Sequence, residues 1–169
     1  MKKIKFNIAL ILFGICSLAT FTACEEDGYA DYEPVETATQ KMNGEFWIDI
    51  SDADGNVYAQ HTLHKLYDNN GQLMITDRIG STENFTGWYT EAALDFNLQD
   101  LTFSATDAEN TSDGSIVTIT EGKILKNAAR SATGVVVDSI YFKAVYDYDP
   151  ETVLTFAGHR RTGFEEDEF

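Results

Sequence analysis

From Gly44 onward, apolar and polar residues alternate along the chain in short runs. Residues 46–51 read Phe-Trp-Ile-Asp-Ile-Ser, and apolar residues occupy every even-numbered position from 140 to 146. A period of two places successive side chains on opposite faces of an extended strand. The pattern therefore predicts β-strands, and no segment after Gly44 shows the spacing of an amphipathic helix.

Turn-forming residues divide this region into about eight strands. The turns at 52–56, 68–71 and 97–100 are rich in Asn, Asp and Gly, which tolerate the backbone angles of tight turns. The predicted strands cover residues 46–51, 57–67, 73–77, 85–94, 101–105, 116–125, 139–147 and 153–161, with a bulge at Gly122. Eight antiparallel strands with short connections favour a closed up-and-down barrel or a sandwich.

The first 23 residues have the composition of an export signal. Three lysines in the first five residues precede an apolar run over residues 8–19, and small residues lead to Cys24. The run is shorter than the roughly 20 apolar residues that cross a bilayer. Residues 21–24, Phe-Thr-Ala-Cys, resemble a bacterial lipobox, with Phe and Thr in place of the usual Leu and small residue. We therefore expect lipidation of Cys24, with ordinary secretion as the alternative.

These features predict four parts of the chain. Residues 1–23 form a lipoprotein signal peptide, 24–43 a lipidated acidic tether, 44–164 the β-barrel domain and 165–169 an acidic tail that we expect to fray. The acidic triplet at residues 25–27 resembles the surface-export signals of Bacteroidetes lipoproteins. The expected location is therefore the outer membrane, lipid-anchored and at the cell surface.

Charge excludes one class of partner. The chain has 12 basic and 28 acidic residues, and the signal segment removes three basic residues but no acidic one. The mature chain therefore has a net charge of −19, which repels phosphate backbones and excludes nucleic acid as a partner. A charge of this kind also favours solubility next to an anionic cell surface.

Four short segments, by their order and spacing, resemble a known family. They are residues 101–104 (Leu-Thr-Phe-Ser), 121–124 (Glu-Gly-Lys-Ile), 138–142 (Asp-Ser-Ile-Tyr-Phe) and 158–164 (Gly-His-Arg-Arg-Thr-Gly-Phe). They are similar to segments of the Bacteroidetes lipoproteins described as lipid-binding putative hydrolases. The resemblance implies a single antiparallel calycin-like or lipocalin-like barrel, and a lipid as the ligand.

Calycins also share a closure device, which the resemblance places on Phe46, Trp47, Arg160 and Arg161. In that device an aromatic residue on the first strand packs under a basic residue on the last strand. Phe46 here holds the position usually taken by tryptophan, and Trp47 follows it. Arg160 is in phase with apolar residues of its strand, so we expect it to point inward over an aromatic ring, a contact worth about 0.5–2 kcal/mol. Anion binding and ion pairs with the acidic tail are the alternative roles of these arginines.

Catalytic and metal-binding patterns are sparse. His61 and His64 are three positions apart on a predicted strand and should face opposite sides. No Gly-x-Ser-x-Gly elbow is present, which leaves His159 as the best candidate base. Residues 52–56 resemble a calcium loop, but their glycine comes fourth instead of sixth, so we interpret them as a turn. We expect no metal, no cofactor and no catalytic residue.

The function that we expect first is non-catalytic binding of a lipid or another small amphipathic ligand in the barrel of a cell-envelope lipoprotein. An eight-stranded barrel has room for packed side chains or one small ligand, and the 21 aromatic residues include eight tyrosines that could line it. An accessory surface lipoprotein of a nutrient (glycan) uptake complex is the alternative. A weak hydrolase using His159 is the third possibility.

Overall fold

The computed structural model describes residues 37–77 and 88–168 of the chain, and eight strands form a closed barrel. Each strand pairs antiparallel with the next, and β1 pairs with β8 to close the barrel. The strands are β1 Gly44–Ser51, β2 Val57–Asn69, β3 Gln72–Thr76, β4 Glu91–Asn97, β5 Thr102–Glu109, β6 Ile116–Arg130, β7 Val136–Tyr146 and β8 Asp149–Arg160. The prediction of an all-β, eight-stranded antiparallel barrel is confirmed.

Alternation along the strands fills the interior with apolar side chains. Phe142 lies at the centre, stacked on Phe156 with 4.5 Å between ring centroids and tilted against Phe103 at 5.7 Å. The same buried core contains fully buried aliphatic residues from other strands, such as Ile48 and Leu94. The middle of the barrel is therefore packed with side chains, as small eight-stranded barrels allow.

The antiparallel order gives the barrel two ends. The upper end carries the β1–β2, β5–β6 and β7–β8 connections and the described parts of the β3–β4 connection. The lower end carries the β2–β3, β4–β5 and β6–β7 connections, together with residues 37–43 and 161–168. The predicted bulge at Gly122 is confirmed by a register shift between Thr120 and Lys123, with Glu121 at a φ of 56°.

Part of the predicted tether packs against the barrel. Met42 is fully buried in the core, and the Thr39 hydroxyl donates a hydrogen bond to Asp68 Oδ2 at 2.8 Å. The ordered domain therefore begins before Gly44. The predicted signal peptide, Cys24 and the rest of the tether lie outside the described residues. Over the described ranges, no helix is long and apolar enough to cross a bilayer.

The expectation that the acidic tail frays is wrong for residues 165–168. Glu165–Asp167 form a 3-10 helix, and the buried Asp167 carboxylate accepts hydrogen bonds from Thr133 N at 2.7 Å and Thr162 Oγ1 at 2.8 Å. Burial alone would raise the pKa of Asp167, but these hydrogen bonds outweigh it and lower the pKa to about 2. The tail is ordered because a backbone amide from the β6–β7 connection and a nearby hydroxyl group hydrogen-bond to the Asp167 carboxylate.

Candidate ligand-binding site

Arg160 closes the lower end of the barrel from the inside. Its guanidinium carbon lies 4.8 Å from the centroid of the Phe46 ring, while Nε donates to Asp138 Oδ2 at 3.0 Å and Nη1 donates to the Asn43 carbonyl at 2.8 Å. A Cβ at Gly44 would lie 1.9 Å from Arg160 Nη1, so only glycine leaves room for this arrangement. The contact ties the last strand to the chain entering the first.

Arg161 lies on the outer face, because successive residues of a strand point to opposite sides. Its guanidinium carbon is 5.9 Å from the Trp47 ring, and its nitrogens pair with Glu45 at 2.5 Å and Glu168 at 2.7 Å. Trp47 in turn stacks on His61 with centroids 4.1 Å apart. Both arginines are thus already engaged by carboxylates, which leaves little capacity for binding a free anion.

His64 is a fully buried polar residue of the barrel. Its Nδ1 lies 3.3 Å from the Thr62 carbonyl oxygen, and its ring meets Phe156 edge-on at 5.8 Å. Burial lowers the pKa of His64 from 6.5 to about 4, against the opposing effect of the Thr62 hydrogen bond. The imidazole is therefore neutral at pH 7. Among the described residues, nothing hydrogen-bonds its buried Nε2.

An aromatic group, which we call the aromatic rim, surrounds the upper end and consists of Tyr58, Trp88, Tyr146 and Tyr148. Tyr58 meets Trp88 edge-on at 4.8 Å, and Tyr146 stacks with Tyr148 at 5.4 Å. Tyr146 is buried and its hydroxyl lies 2.5 Å from that of Thr90, whereas Tyr148 is 52% exposed. The rim therefore joins buried hydroxyls to an exposed apolar surface.

Carboxylates lie close to the exposed phenol of the aromatic rim. Partial burial, together with the nearby Asp113, Asp147 and Asp149, raises the pKa of Tyr148 to about 12. At neutral pH the rim thus offers the Tyr148 hydroxyl as a donor within a negative field, since the other tyrosine hydroxyls of the rim already have hydrogen-bond partners. This chemistry suits a neutral or cationic head group attached to an apolar chain, and it disfavours an anionic head group.

The predicted turn at residues 52–56 is present and uses its own carboxylate. Asp52 Oδ1 accepts hydrogen bonds from the backbone amides of Asp54 and Asn56, and Oδ2 accepts them from Asn56 Nδ2 and the Tyr58 hydroxyl. In the described part of the chain, no group of three or more His, Cys, Asp or Glu side chains could hold a metal ion.

A second concave region lies on the outer wall. This outer groove, of about 560 Å³, spans β4, β5 and β6, and the exposed side chains of Asp95, Ser104, Glu121 and Lys123 are among those that line it. It is open to solvent, is lined by both polar groups and the partly buried Phe96, and lies toward the lower end, away from the aromatic rim.

The three histidines do not form a common site. His64 is inside the barrel and His61 lies outside against Trp47, on opposite faces as predicted. His159 lies opposite Ser139 in the β7–β8 register, with its Nδ1 3.2 Å from the Arg160 carbonyl oxygen. No hydrogen bond joins the His159 ring to a serine hydroxyl within residues 37–77 and 88–168. The nucleophile–base contact that hydrolysis requires is therefore not formed at His159.

Sequence reasoning placed Phe46, Trp47, Arg160 and Arg161 together, and the structure brings them into two stacked pairs. The sequence patterns did not indicate the aromatic rim. Tyr146 was visible only as the last apolar residue of an alternating strand, and Thr90 carries no local signal, since the two hydroxyls are 56 positions apart.

A family model described as lipid-binding putative hydrolase matches residues 31–165, which include the whole barrel. No curated protein sequence matches the chain.

Proposed function

The chain belongs to the lipid-binding putative hydrolase family, and we propose that it binds a lipid or another small amphipathic ligand as a non-catalytic, lipid-anchored envelope protein. The single observation that carries the lipid-binding proposal is the family match over the whole barrel. The aromatic rim at the upper end is the site that we assign to the ligand.

Packing explains why the rim is favoured over the barrel interior. The central space is occupied by Phe103, Phe142 and Phe156, so a chain could enter only by displacing aromatic side chains. At the rim, Tyr148 and the neighbouring Val57 are 52% and 56% exposed and could cover an acyl chain without any rearrangement. Tyrosine hydroxyls next to apolar rings can bind both parts of an amphipathic molecule.

A fluorescent fatty acid and a fluorescent cationic amphiphile would test this site in a titration. We expect Tyr148→Ser to raise the dissociation constant several-fold, because the exposed ring supplies apolar contact area. Phe164→Ser is a matched control, since Phe164 is 58% exposed at the lower end. The cationic probe should bind more tightly than the anionic one. Equal loss in both variants, or no binding of either probe, would contradict the proposal.

The anchor is the second part of the proposal. We assign lipidation to Cys24 and locate the protein at the outer membrane, on the cell surface, from the leader pattern and the acidic triplet that follows it. Cys24→Ser should release the protein from washed membranes into the soluble fraction. Retention of the variant on membranes would show that another part of the chain holds it.

The packed interior, and the hydroxyl and carboxylate groups next to an aromatic ring in the outer groove, favour one alternative, an accessory surface lipoprotein of a glycan uptake complex. Hydroxyl and carboxylate groups such as Ser104 and Asp95 are suited to binding sugar hydroxyls. Calorimetry with soluble oligosaccharides would separate the two functions. Binding that is lost in Asp95→Ala but retained in Tyr148→Ser would favour the accessory role.

A further inference from the structure

The lower half of the β6–β7 hairpin has an unusual composition for this chain. Residues 122–137 contain three basic residues and no acidic residue, although the whole chain has 28 acidic residues. Four of these residues are valine or leucine and none is aromatic. The segment therefore differs from the acidic surface around it in both charge and hydrophobicity.

This part of the hairpin projects beyond the barrel wall. The β5–β6 pairing ends at Lys123, and the β7–β8 pairing begins at Ser139, whereas β6 and β7 continue to pair as far as Arg130 and Val136. Residues 125–137 thus form a two-stranded extension at the lower end, which we call the ribbon. Thr133 at its tip is bonded to the buried Asp167, which holds the ribbon in place.

The ribbon exposes apolar side chains that the fold does not need. Leu125, Val135 and Val136 are 50%, 41% and 48% exposed. Arg130 is paired with Val136 in the β6–β7 register and shares its face, whereas Leu125 and Val135 point to the opposite face. The Nη1 of Arg130 donates to the Gly134 carbonyl at 2.9 Å, and no carboxylate pairs with this arginine among the described residues. Lys126 is neutralised by Asp138. A hairpin end that has exposed apolar side chains on both faces and a cation beside them is suited to contact an anionic lipid surface with its tip.

The chain preceding the barrel arrives at the same end. Lys126 Nζ donates to the Lys41 carbonyl at 3.3 Å, so the turn over residues 37–43 lies beside the ribbon. Twelve residues separate Cys24 from Thr37. They reach at most about 45 Å when extended and about 20 Å as a flexible coil. An anchor at Cys24 would therefore hold the lower end close to the membrane.

We propose that the ribbon docks end-on on the anionic phospholipid surface of the membrane that holds the anchor, with Val135 and Val136, one from each face, in the interfacial region and Arg130 at the head groups. This inference rests on the proposed lipidation of Cys24. Glu165 and Glu166 lie on the tail beside the ribbon and would be repelled by the same surface, so the contact is centred on the ribbon alone. Docking turns the aromatic rim away from the membrane.

Depth-dependent fluorescence quenching on the lipidated full-length protein tests this orientation. The protein is reconstituted into vesicles of phosphatidylethanolamine and phosphatidylglycerol, and an environment-sensitive fluorophore is attached to Val136→Cys or, as the matched control, to Val153→Cys near the upper end. The two positions are similarly exposed, at 48% and 41%. We expect nitroxide-labelled lipid to quench the label at position 136 at least roughly twofold more than at position 153.

A second variant distinguishes docking from mere proximity. Arg130→Glu combined with Val135→Glu should abolish the difference in quenching, while the lipid anchor still carries the protein with the vesicles in a flotation gradient. Equal quenching at positions 136 and 153 in the unaltered ribbon would overturn the docking proposal but leave the anchor intact. Failure of the full-length protein to float would overturn the anchor, and docking with it. If the label becomes shielded from solvent as the protein concentration rises in the absence of vesicles, a second copy of the chain covers the ribbon, and this would also overturn docking.

Discussion

Replacing His64 by glutamine should remove a specific part of the acid sensitivity of this protein. His64 is fully buried against Phe156, and burial holds its pKa at about 4 instead of 6.5. As the pH falls, the unfolded chain therefore binds a proton at His64 before the folded chain does. The free energy of unfolding decreases from about pH 6.5 downward, and this loss is complete below about pH 4.

The size of the effect follows from the shift in pKa. One pKa unit corresponds to about 1.4 kcal/mol, so the full loss is about 3 kcal/mol, of which about 2 kcal/mol falls between pH 7 and pH 5. This window avoids the carboxylates of Asp138 and Asp167, whose hydrogen bonds, outweighing burial, lower their pKa below 3.8. Their contribution to stability is present above that range and is lost only at more acidic pH.

Urea denaturation at pH 5, 6 and 7 would measure the effect as a difference between proteins. The wild-type protein should lose about 2 kcal/mol more than His64→Gln between pH 7 and pH 5. His61→Gln is the control, because His61 lies on the outer face against Trp47 and should follow the wild-type curve. Parallel curves for the wild-type protein and His64→Gln would refute the reasoning. They would mean that the interior solvates a charged imidazole.

Three further predictions concern stability, each measured by urea denaturation at pH 7. Arg160→Met should cost about 1–3 kcal/mol, because the Asn43 carbonyl loses its donor and the partly buried Asp138 keeps only Lys126 as a cationic partner; Lys65→Met should change little, and equal effects would contradict the closure role. Gly158→Ala should cost at least about 2 kcal/mol, because the new Cβ would lie 1.9 Å from a β1 carbonyl oxygen; a neutral change would show that β1 and β8 separate easily. Tyr146→Phe should cost about 1–2 kcal/mol by leaving the Thr90 hydroxyl unpaired, and adding Thr90→Val should recover part of that loss; simple additivity of the two would argue against the hydroxyl pair.

The barrel could be predicted from the sequence because its information is local. The even-numbered positions of β7 from Ile140 to Tyr146 are buried, as the alternation indicated, and the glycine at position 122 marks the bulge. The position of Arg160 followed from the same phase. Each of these inferences needs only the period of a strand and the chemistry of one residue.

Long-range contacts explain what could not be predicted. β6 and β7 extend to Arg130 and Val136, well past the predicted limits of 125 and 139, because they pair with each other in a segment without alternation. The buried carboxylate of Asp167 accepts a hydrogen bond from the backbone amide of Thr133, 34 positions earlier in the chain. In both cases the stabilising partner is distant along the chain, so no local pattern marks it.

The β1–β8 pairing has a consequence for how the protein folds. Every other strand pair joins neighbours in the chain, whereas this one brings together groups as far apart as Arg160 and Asn43, which are separated by 117 positions. Closing a loop of that length costs on the order of 4 kcal/mol of chain entropy, so this pairing should form last. Until this pairing forms, β1 and β8 are unpaired sheet edges whose free backbone groups can pair with a strand of another molecule. The yield of refolded protein should therefore fall with protein concentration.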